Sequence, residues 1–514
     1  MARKRLTEAA EAISEFPWSS TTLTPSTTAM IVLFAALVRI LVSLGPYSGK
    51  GSPPMYGDYE AQRHWMEITL HTPTRDWYTN TSSNNLSYWG LDYPPLTAYQ
   101  SLSHALLINS SIPESLALFS SRGFESHRSK LLMRWTVLLS DFLFFFPASI
   151  VFVVVYCRRF GGSGREGSAP WLLAMILLNP CMILIDHGHF QYNCISLGLT
   201  LGAIAAILSG HELIAAFIFS LAINHKQMSI YYAPAFFSHL LGKCLKRWNP
   251  RNWIPEVLKL GLVVIVTFMI IWWPYLYSMD AAKKVLYRLA PFDRGIYEDY
   301  VANFWCSTSV IVKWKRLFSI GVLKFLCLCA TVSAFLPSCY QQMKAPSDRT
   351  FLYGLLNSSF AFYLFSYQVH EKSILLPLLP ASLLALQEQF LFGQLVYCGL
   401  LSMFPLLLRD NLILQYTAIL SLFGLIFFDQ NARHAWDKLS VRRRLLLVLP
   451  LLLSSLLHLM YLTLRPPGKY PFLFEALIML FCFSQFLCFA IWTNIQQCTS
   501  LDFFNWLKAR KKDL

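Results

Sequence analysis

Apolar residues gather in blocks along most of this 514-residue chain, with short polar connections between them. Many blocks have the roughly 17 to 25 residues that an α-helix needs to cross a hydrocarbon core about 30 Å thick. Hydrophobic residues make up 55% of the chain and charged residues 14%, which excludes a soluble enzyme or a disordered scaffold. The pattern predicts an all-α polytopic membrane protein of about 14 transmembrane helices. The predicted spans are residues 29–44, 131–156, 170–186, 193–209, 212–224, 228–242, 257–277, 318–340, 350–366, 373–390, 393–408, 411–428, 445–464 and 471–493.

The formal charge of +15 comes from Lys and Arg in short clusters between the apolar blocks, so a lipid bilayer is the expected partner and nucleic acid is not. With this assignment the clusters fall on alternate loops, and the positive-inside rule places both termini in the cytosol. The clusters are at residues 3–5, 158–159, 243–251, 344–349, 442–444 and 508–512. The opposite, lumenal face receives residues 45–130, 186–193, 224–227, 278–306, 367–373 and 466–471.

The domain organisation follows from this topology. We expect a cytosolic extension at residues 1–28, one polytopic transmembrane domain at 29–494 and a cytosolic tail at 495–514. The long first lumenal loop, residues 45–130, contains three glycosylation sequons, and the second large lumenal loop is residues 278–306. The tail carries two lysines at the third and fourth positions from its end, which resembles a dilysine signal for the endoplasmic reticulum. An ordinary cytosolic basic cluster is the alternative. The sequons begin at Asn80, Asn85 and Asn109, and the lysines are Lys511 and Lys512.

The first loop begins with a high density of ionisable residues. Asp58 and Glu60 stand two apart, and Arg63, His64 and Trp65 follow. One interpretation is an amphipathic helix lying at the membrane interface, with Trp65 in the headgroup region. The other is a catalytic site, because an acid where the chain leaves the membrane would meet a lipid-borne substrate. In that case either acid could serve as general base.

Two further motifs suggest contacts to a sugar. Asp92 and Tyr93 precede a rigid Pro pair, and an aromatic ring beside a carboxylate can grip a sugar, although such residues also suit a loop lying on a bilayer. The second motif, residues 186–193, contains His187 and His189 between two apolar blocks. Because no matching set of ligands stands at metal spacing, contact with sugar or phosphate is favoured over a metal site.

A fourth polar motif, residues 367–373, separates two long apolar blocks and carries His370 and Lys372. Placing ionisable residues at membrane depth costs free energy, so these residues are interpreted as functional. The alternative is a short solvated turn. A pair of cations suits a phosphate leaving group, which gains charge as its bond breaks. The loop at residues 278–306, which contains Arg294, would act as a lid if it lies over a cavity.

The first loop has no Gly-rich phosphate loop, no Walker motif and no DxD-type pair for a nucleotide sugar and its metal. We therefore expect an activated donor carried on a membrane lipid, and neither a metal nor another cofactor.

Four motifs together resemble the endoplasmic-reticulum glucosyltransferases that use dolichyl-phosphate glucose. They are GDYEAQRHW at residues 57–65, LDYPP at 91–95, HFQYN at 189–193 and VHEKS at 369–373. The resemblance extends from Ala29 to Asn494. Two close relatives in this family share the pattern, one adding the first glucose and one the second to the lipid-linked oligosaccharide. Residues 47–55, 57–69 and 89–99 are more similar to the first.

The resemblance implies a glycosyltransferase-C fold and an inverting, metal-independent reaction with a lumenal active site in the endoplasmic reticulum. A β-linked dolichyl-phosphate glucose would donate glucose in α-1,3 linkage to the terminal mannose of Man9GlcNAc2-PP-dolichol, the acceptor. Asp58 matches the first-loop acid of the family and is the expected general base. The expected substrate-binding residues are Glu60, Asp92, Tyr93, His189, Gln191, Tyr192, Arg294, His370 and Lys372.

Three rival functions remain. The second-glucose transferase differs only in the acceptor that it extends. A lipid or sugar transporter should place polar residues near the bilayer midplane, whereas here they collect at the lumenal ends of spans. A structural scaffold would have little use for Asp58, Asp92, His189 and His370 on one face.

Overall fold

The structure is a computed structural model that describes residues 23–160, 169–246, 250–290, 295–297, 300–428 and 436–499. All regular elements in these ranges are helical. Seven helices are long and apolar enough to cross a membrane, and four shorter apolar helices accompany them, as expected of a multi-pass membrane protein. The seven are Pro25–Ser43, His127–Phe160, Ala169–Phe190, Trp253–Tyr275, Ile320–Lys344, Val441–Thr463 and Leu473–Cys498.

The α-helices are numbered in chain order. They are α1 Pro25–Ser43, α2 Asp58–His71, α3 Pro95–Asn109, α4 His127–Ser140, α5 Phe146–Phe160, α6 Ala169–Leu177, α7 Pro180–Ile183, α8 Asn193–Leu208, α9 Glu212–His225, α10 Ala233–Leu245 and α11 Pro250–Trp272. The remainder are α12 Met279–Leu289, α13 Phe304–Thr308, α14 Trp314–Leu317, α15 Ile320–Lys344, α16 Asp348–Phe365, α17 Leu375–Leu383, α18 Gln389–Ser402, α19 Phe404–Arg409, α20 Ile413–Phe427, α21 Val441–Thr463 and α22 Leu473–Cys498.

Several predicted spans differ from the helices that the structure contains, and two of them differ most. The span predicted at 373–390 is α-helical only over the nine residues of α17, about 14 Å of helix, which is too short to cross a bilayer alone. All nine residues are buried by neighbouring helices, and this is how backbone at membrane depth avoids lipid. The span predicted at 393–408 is broken at Met403, and a new helix, α19, begins at Phe404 with Pro405 in its first turn.

The loop predicted at residues 186–193 also differs, since a π-helix covers Leu184–Phe190. Most of the polar motif therefore lies within a helix, and only Gln191 and Tyr192 stand between it and α8. Asp186 fixes this arrangement, because its carboxylate accepts hydrogen bonds from the Asn193 side chain and from the Cys194 N–H, each at 2.7 Å. A carboxylate at this position satisfies amide groups at the N-terminus of α8. Single π-helical turns are frequent at functional sites.

The polar connections between spans group at two ends of the molecule. At one end Arg159 pairs with Asp348 at 2.5 Å, and Lys243 pairs with Glu212 at 2.6 Å. These residues come from connections that the positive-inside analysis assigns to the cytosol. At the other end the segments around residues 58, 189, 226, 372 and 410 meet. Alternation of loops between two faces predicts such a grouping.

A buried ion cluster holds the first loop together. The guanidinium of Arg63, which is fully buried, donates to both oxygens of Glu60 at 2.7 Å and to Glu67 at 2.8 Å. Burial raises the pKa of Glu67, but hydrogen bonding to His64 and the charge of Arg63 outweigh it and lower that pKa to about 2. Because removal of one partner would leave a buried charge unpaired, the cluster fixes how the loop folds.

Candidate active site

Asp58 is the first residue of α2 and lies where several segments of the chain meet. Its N–H donates to Ser48 Oγ at 3.3 Å, and the helix N-terminus favours a negative charge on its side chain. Oδ2 accepts hydrogen bonds from Lys372 Nζ and Gln191 Nε2, and lies 3.1 Å from His189 Nε2. The Asp58 and Lys372 side chains are 21% and 22% exposed, against 3% for His189. The carboxylate can therefore be reached by a substrate while its histidine is enclosed.

His189 connects Asp58 to a second carboxylate. Its Nδ1 lies 2.5 Å from Oδ2 of Asp410, which follows α19. Both ring nitrogens thus face carboxylate oxygens, so the imidazole donates to both acids when it carries two protons. In this way Asp410 fixes the orientation of the His189 ring towards Asp58.

Two opposing effects set the acidity of Asp58. Burial raises its pKa, but the neighbouring Lys372 and His189 outweigh burial and hold the pKa well below its usual value. The pKa of Lys372 is affected in the matching way: burial lowers it, but the charge of Asp58 outweighs this and raises it. Asp58 and Lys372 therefore form an ion pair at neutral pH. A carboxylate held in this way is a weak base as long as the lysine remains beside it.

A chain of polar side chains continues from Asp58 to Asp186. While the amide nitrogen of Gln191 donates to Asp58, its oxygen accepts from Lys226 Nζ at 3.3 Å. Lys226 also donates to Asn193 Oδ1 at 2.6 Å, and Asn193 in turn donates to Asp186. Burial lowers the pKa of Lys226 to about 8, although the charge of Asp186 opposes this effect. This lysine fixes which end of the Gln191 amide faces Asp58.

Tyr93 borders the same chain of residues. Lys226 Nζ lies 4.8 Å from the centre of its ring, close enough for a cation–π contact. The backbone beside it is held firmly, since Tyr78 donates to the carbonyl of Tyr93 at 2.6 Å and Gln227 donates to the carbonyl of Asp92 at 3.0 Å. The motif at 91–95 therefore approaches the Asp58 group through Lys226.

Other predicted site residues have different surroundings. Glu60 is 2% exposed, and besides Arg63 its carboxylate accepts from the Tyr88 hydroxyl at 2.8 Å. Tyr192 is 3% exposed and hydrogen-bonds Thr136 at 2.7 Å. His370 directly precedes the 3-10 turn Glu371–Ile374 that carries Lys372. Arg294 lies outside the described residues.

The structure adds two residues that sequence reasoning missed. Lys226 and Asp410 lie in very short polar connections between apolar helices, and neither belongs to a motif with recognisable spacing. The only available signal was the cost of an isolated charge next to a membrane-spanning segment. His225 and Gln227, which flank Lys226, strengthen that signal.

The fold and the site together define a general class. The chain is a multi-pass helical protein with a cluster of acids and cations at one end of its helices. The family model described as "ALG6, ALG8 glycosyltransferase family" matches residues 35–492, and the chain belongs to this family. It is therefore a glycosyltransferase.

Relatives from a plant, a vertebrate and a fungus agree with this assignment. The chain is 57% identical over 493 residues to an Arabidopsis thaliana protein named "Probable dolichyl pyrophosphate Man9GlcNAc2 alpha-1,3-glucosyltransferase", covering 94% of this chain and 92% of that one. It is 40% identical to the Gallus gallus "Dolichyl pyrophosphate Man9GlcNAc2 alpha-1,3-glucosyltransferase", covering 93% and 96% of the two chains. A Schizosaccharomyces pombe protein with the "Probable" form of this name is 38% identical, with 90% of each chain covered.

Proposed function

We propose that this protein transfers the first glucose from dolichyl-phosphate glucose to the terminal mannose of Man9GlcNAc2-PP-dolichol, in α-1,3 linkage. Membership of the family and the names of the relatives support the acceptor and the linkage. The expectation of a lipid-borne donor rests on the absence of nucleotide-binding motifs in the first loop and on the position of the charged cluster at the ends of membrane-spanning helices. The single observation that carries the mechanism is the contact between Asp58 and Lys372.

In this mechanism Asp58 is the general base. It takes the proton of the mannose 3-hydroxyl while that oxygen forms a bond to C1 of glucose and the bond from C1 to the phosphate oxygen breaks. Inversion requires the three reacting centres to lie roughly in line, with dolichyl phosphate leaving on the face opposite the acceptor. The leaving phosphate keeps the bonding electrons, and Lys372 and His370 stabilise its growing negative charge.

Lys372 would serve both anions in turn. In the structure Lys372 pairs with Asp58 and weakens that acid as a base. A donor phosphate placed beside Lys372 would compete for the ammonium group, and the pKa of Asp58 would then rise towards its usual value. Donor binding would thus prepare the base for the acceptor. This order limits wasteful proton transfer at a site that lacks the donor.

The remaining predicted residues take supporting roles in the proposal. Gln191 and His189 hold the Asp58 carboxylate through the contacts described above, and Tyr93 and Asp92 contact sugar from the neighbouring motif. Tyr192 is buried behind the site, and its hydrogen bond with Thr136 supports the site from that side. Glu60 maintains the loop fold through Arg63, and Arg294 would contact phosphate from the second large loop.

The proposal includes a glycosyltransferase-C fold of fourteen spans in the endoplasmic-reticulum membrane, with the active site on the lumenal side. Seven helices long and apolar enough to cross a membrane and four shorter apolar helices support a multi-pass fold of this kind. The alternation of basic loops and the sequons in residues 45–130 support the proposed orientation.

A reconstitution assay tests this function directly. Purified protein in detergent would receive synthetic dolichyl-phosphate glucose with either the nine-mannose acceptor or its monoglucosylated form. We expect α-1,3-linked glucose on the first acceptor and none on the second. Product only on the monoglucosylated acceptor would assign the second-glucose reaction instead, and movement of labelled sugar across vesicles without a new glycosidic bond would identify a transporter.

A further inference from the structure

A groove beside the Asp58 site has cationic walls and an apolar floor. It lies between α1 and α4 at the end of both helices that joins the first loop, and it encloses about 110 Å³. This volume is several times the roughly 10–15 Å³ needed by one water molecule, so the groove can hold a larger polar group. Its polar walls include Lys130, Arg134 and His187.

Arg134 has unused hydrogen-bond donors although it is only 4% exposed. Its Nη2 donates to the carbonyls of Gly188 at 2.7 Å and Pro46 at 3.0 Å. Its buried Nε and Nη1 have no partner among the described residues. A buried guanidinium with open donors costs free energy unless a ligand completes its hydrogen bonds. Both atoms are covered by protein, so the guanidinium must turn towards the groove before an oxygen-rich anion can accept from them.

The positive charge of the groove is not neutralised nearby. Lys130 Nζ donates to the Leu44 carbonyl at 2.9 Å, a neutral acceptor. Among the described parts of the chain, neither Lys130 nor Arg134 forms an ion pair with a carboxylate, whereas His187 is paired with Asp141. Two cations without counterions therefore face one small cavity.

The groove continues onto an apolar surface. Leu131 and Trp135 line it and are 47% and 50% exposed, and both belong to a helix long and apolar enough to span the membrane. In a bilayer these side chains would contact lipid chains. The groove thus combines phosphate-binding groups with a lateral opening towards lipid, which fits a phosphate-bearing lipid better than a free anion.

We propose that this groove binds the diphosphate of the lipid-linked acceptor, with Arg134 and Lys130 as its phosphate contacts; this inference rests on the proposed function. The diphosphate carries more charge than the donor monophosphate and so matches two unpaired cations, while Lys372 serves the donor. The groove also adjoins the site, because Arg134 bonds the carbonyl of Gly188 and the next residue, His189, contacts Asp58. The lipid chain would extend over Leu131 and Trp135, and the glycan would fold back towards Asp58.

Binding of short-chain lipid analogues tests the proposal without turnover. The probes are phytanyl-diphosphate-linked chitobiose and the same glycan on phytanyl alcohol, which lacks phosphate. We expect tighter binding of the diphosphate probe to the wild-type protein, and roughly a tenfold or greater loss of that affinity in Lys130→Gln and in Arg134→Lys. The alcohol probe should bind all three proteins alike. Arg128→Gln is the matched control, because Arg128 is an exposed cation on the same helix that does not line the groove.

Several results would overturn the assignment. They are equal binding of both probes to the wild-type protein, full displacement of the diphosphate probe by equimolar phosphatidylglycerol, and unchanged affinity in the Lys130→Gln variant, which keeps the Arg134 contacts needed for folding. Selective diphosphate binding by a protein that transfers no glucose would leave this site intact and refute the proposed function alone. In an active enzyme, the same variants should raise KM for the acceptor and leave KM for the donor unchanged.

Discussion

In the proposed mechanism, the contact between Asp58 and Lys372 restrains the general base until the donor arrives. The ammonium group keeps the carboxylate ionised but also reduces its basicity. In the proposed mechanism, the carboxylate becomes an effective base when another anion takes the lysine. Both side chains are about one-fifth exposed, so a phosphate can reach them.

The substitution Asp58→Asn tests the base. Asn keeps the shape of Asp but cannot accept a proton at neutral pH, so we expect a folded enzyme whose kcat falls by roughly 10²–10⁴-fold. Donor affinity should not fall, because the substitution frees Lys372. Single-turnover kinetics with saturating substrates would measure this. Asp92→Asn is the comparison, and it should keep measurable turnover. If Asp92→Asn were inactive and Asp58→Asn nearly normal, the base would have to be Asp92.

Lys226 predicts an alkaline limb in the pH profile. With a pKa of about 8, this lysine holds Gln191 through a charged hydrogen bond below that pH and loses its proton above it. We therefore expect kcat/KM to decline as pH rises through about 8. Lys226→Arg keeps the charge to higher pH and should move the limb upward, whereas Lys226→Gln should lower kcat by roughly 10- to 100-fold at neutral pH.

If Lys226 had a purely structural role, the result would differ. The Lys226→Arg variant would then have normal stability, and the alkaline limb of its pH profile would not move. Lys50→Gln, which alters an exposed lysine of the first loop, is the control and should have the wild-type pH profile.

At the scale of elements, the first loop separates two acids that stand two residues apart. Successive residues of an α-helix differ by about 100° in direction, so Asp58 and Glu60 point to nearly opposite sides of α2. Asp58 joins the charged site, and Glu60 joins the buried cluster around Arg63. The sequence motif shows both acids but not which one turns inwards, because that choice depends on packing against the segment at 115–121.

Glu60→Gln should therefore act on stability more than on chemistry. It removes the charge from two hydrogen bonds to Arg63, and the loss of charge-assisted bonds of this kind costs about 1.5–3 kcal/mol. We expect a lower Tm of the detergent-solubilised protein with nearly normal turnover per folded molecule. Thermal unfolding followed by tryptophan fluorescence, together with active-site-normalised kcat, would measure both. A normal Tm combined with lost turnover would assign Glu60 to substrate instead.

Helix positions were more predictable than helix interruptions. The boundaries of α1, α8, α9 and α20 lie within a few residues of the predicted spans, because runs of apolar residues alone define them. The π-helix at Leu184–Phe190 and the nine-residue α17 were not predicted. Both depend on contacts from distant parts of the chain, the first on the buried carboxylate of Asp186 and the second on neighbours that cover it on all sides. Hydrophobic patterns do not carry that information.

At the scale of the whole molecule, the site is built from connections that are far apart in sequence. Asp58, His189, Lys226, Lys372 and Asp410 come from five different connections between the predicted spans. Counting spans predicted that such segments share one face, and this grouping placed Asp58, His189 and His370 together in the sequence analysis. It did not predict which side chains touch. Pairs such as His189 with Asp410 depend on how helices pack, and their roles in catalysis stay predictions.

The orientation of the molecule predicts which segments a protease can reach. If the basic connections are cytosolic, protease added to sealed microsomes should remove an epitope tag at either terminus and leave residues 45–130 intact. The same loop carries Asn80 and Asn85, which are exposed and lie in sequons, so glycosidase treatment should reduce the mass of the protein if they are modified. Detergent must make the loop cleavable, which controls for intrinsic resistance of its compact fold.

Cleavage of the loop in intact vesicles would reverse the topology. The donor would then be presented on the cytosolic face, where nucleotide sugars are also available, and the argument for a lumenal, lipid-borne donor would lose its basis.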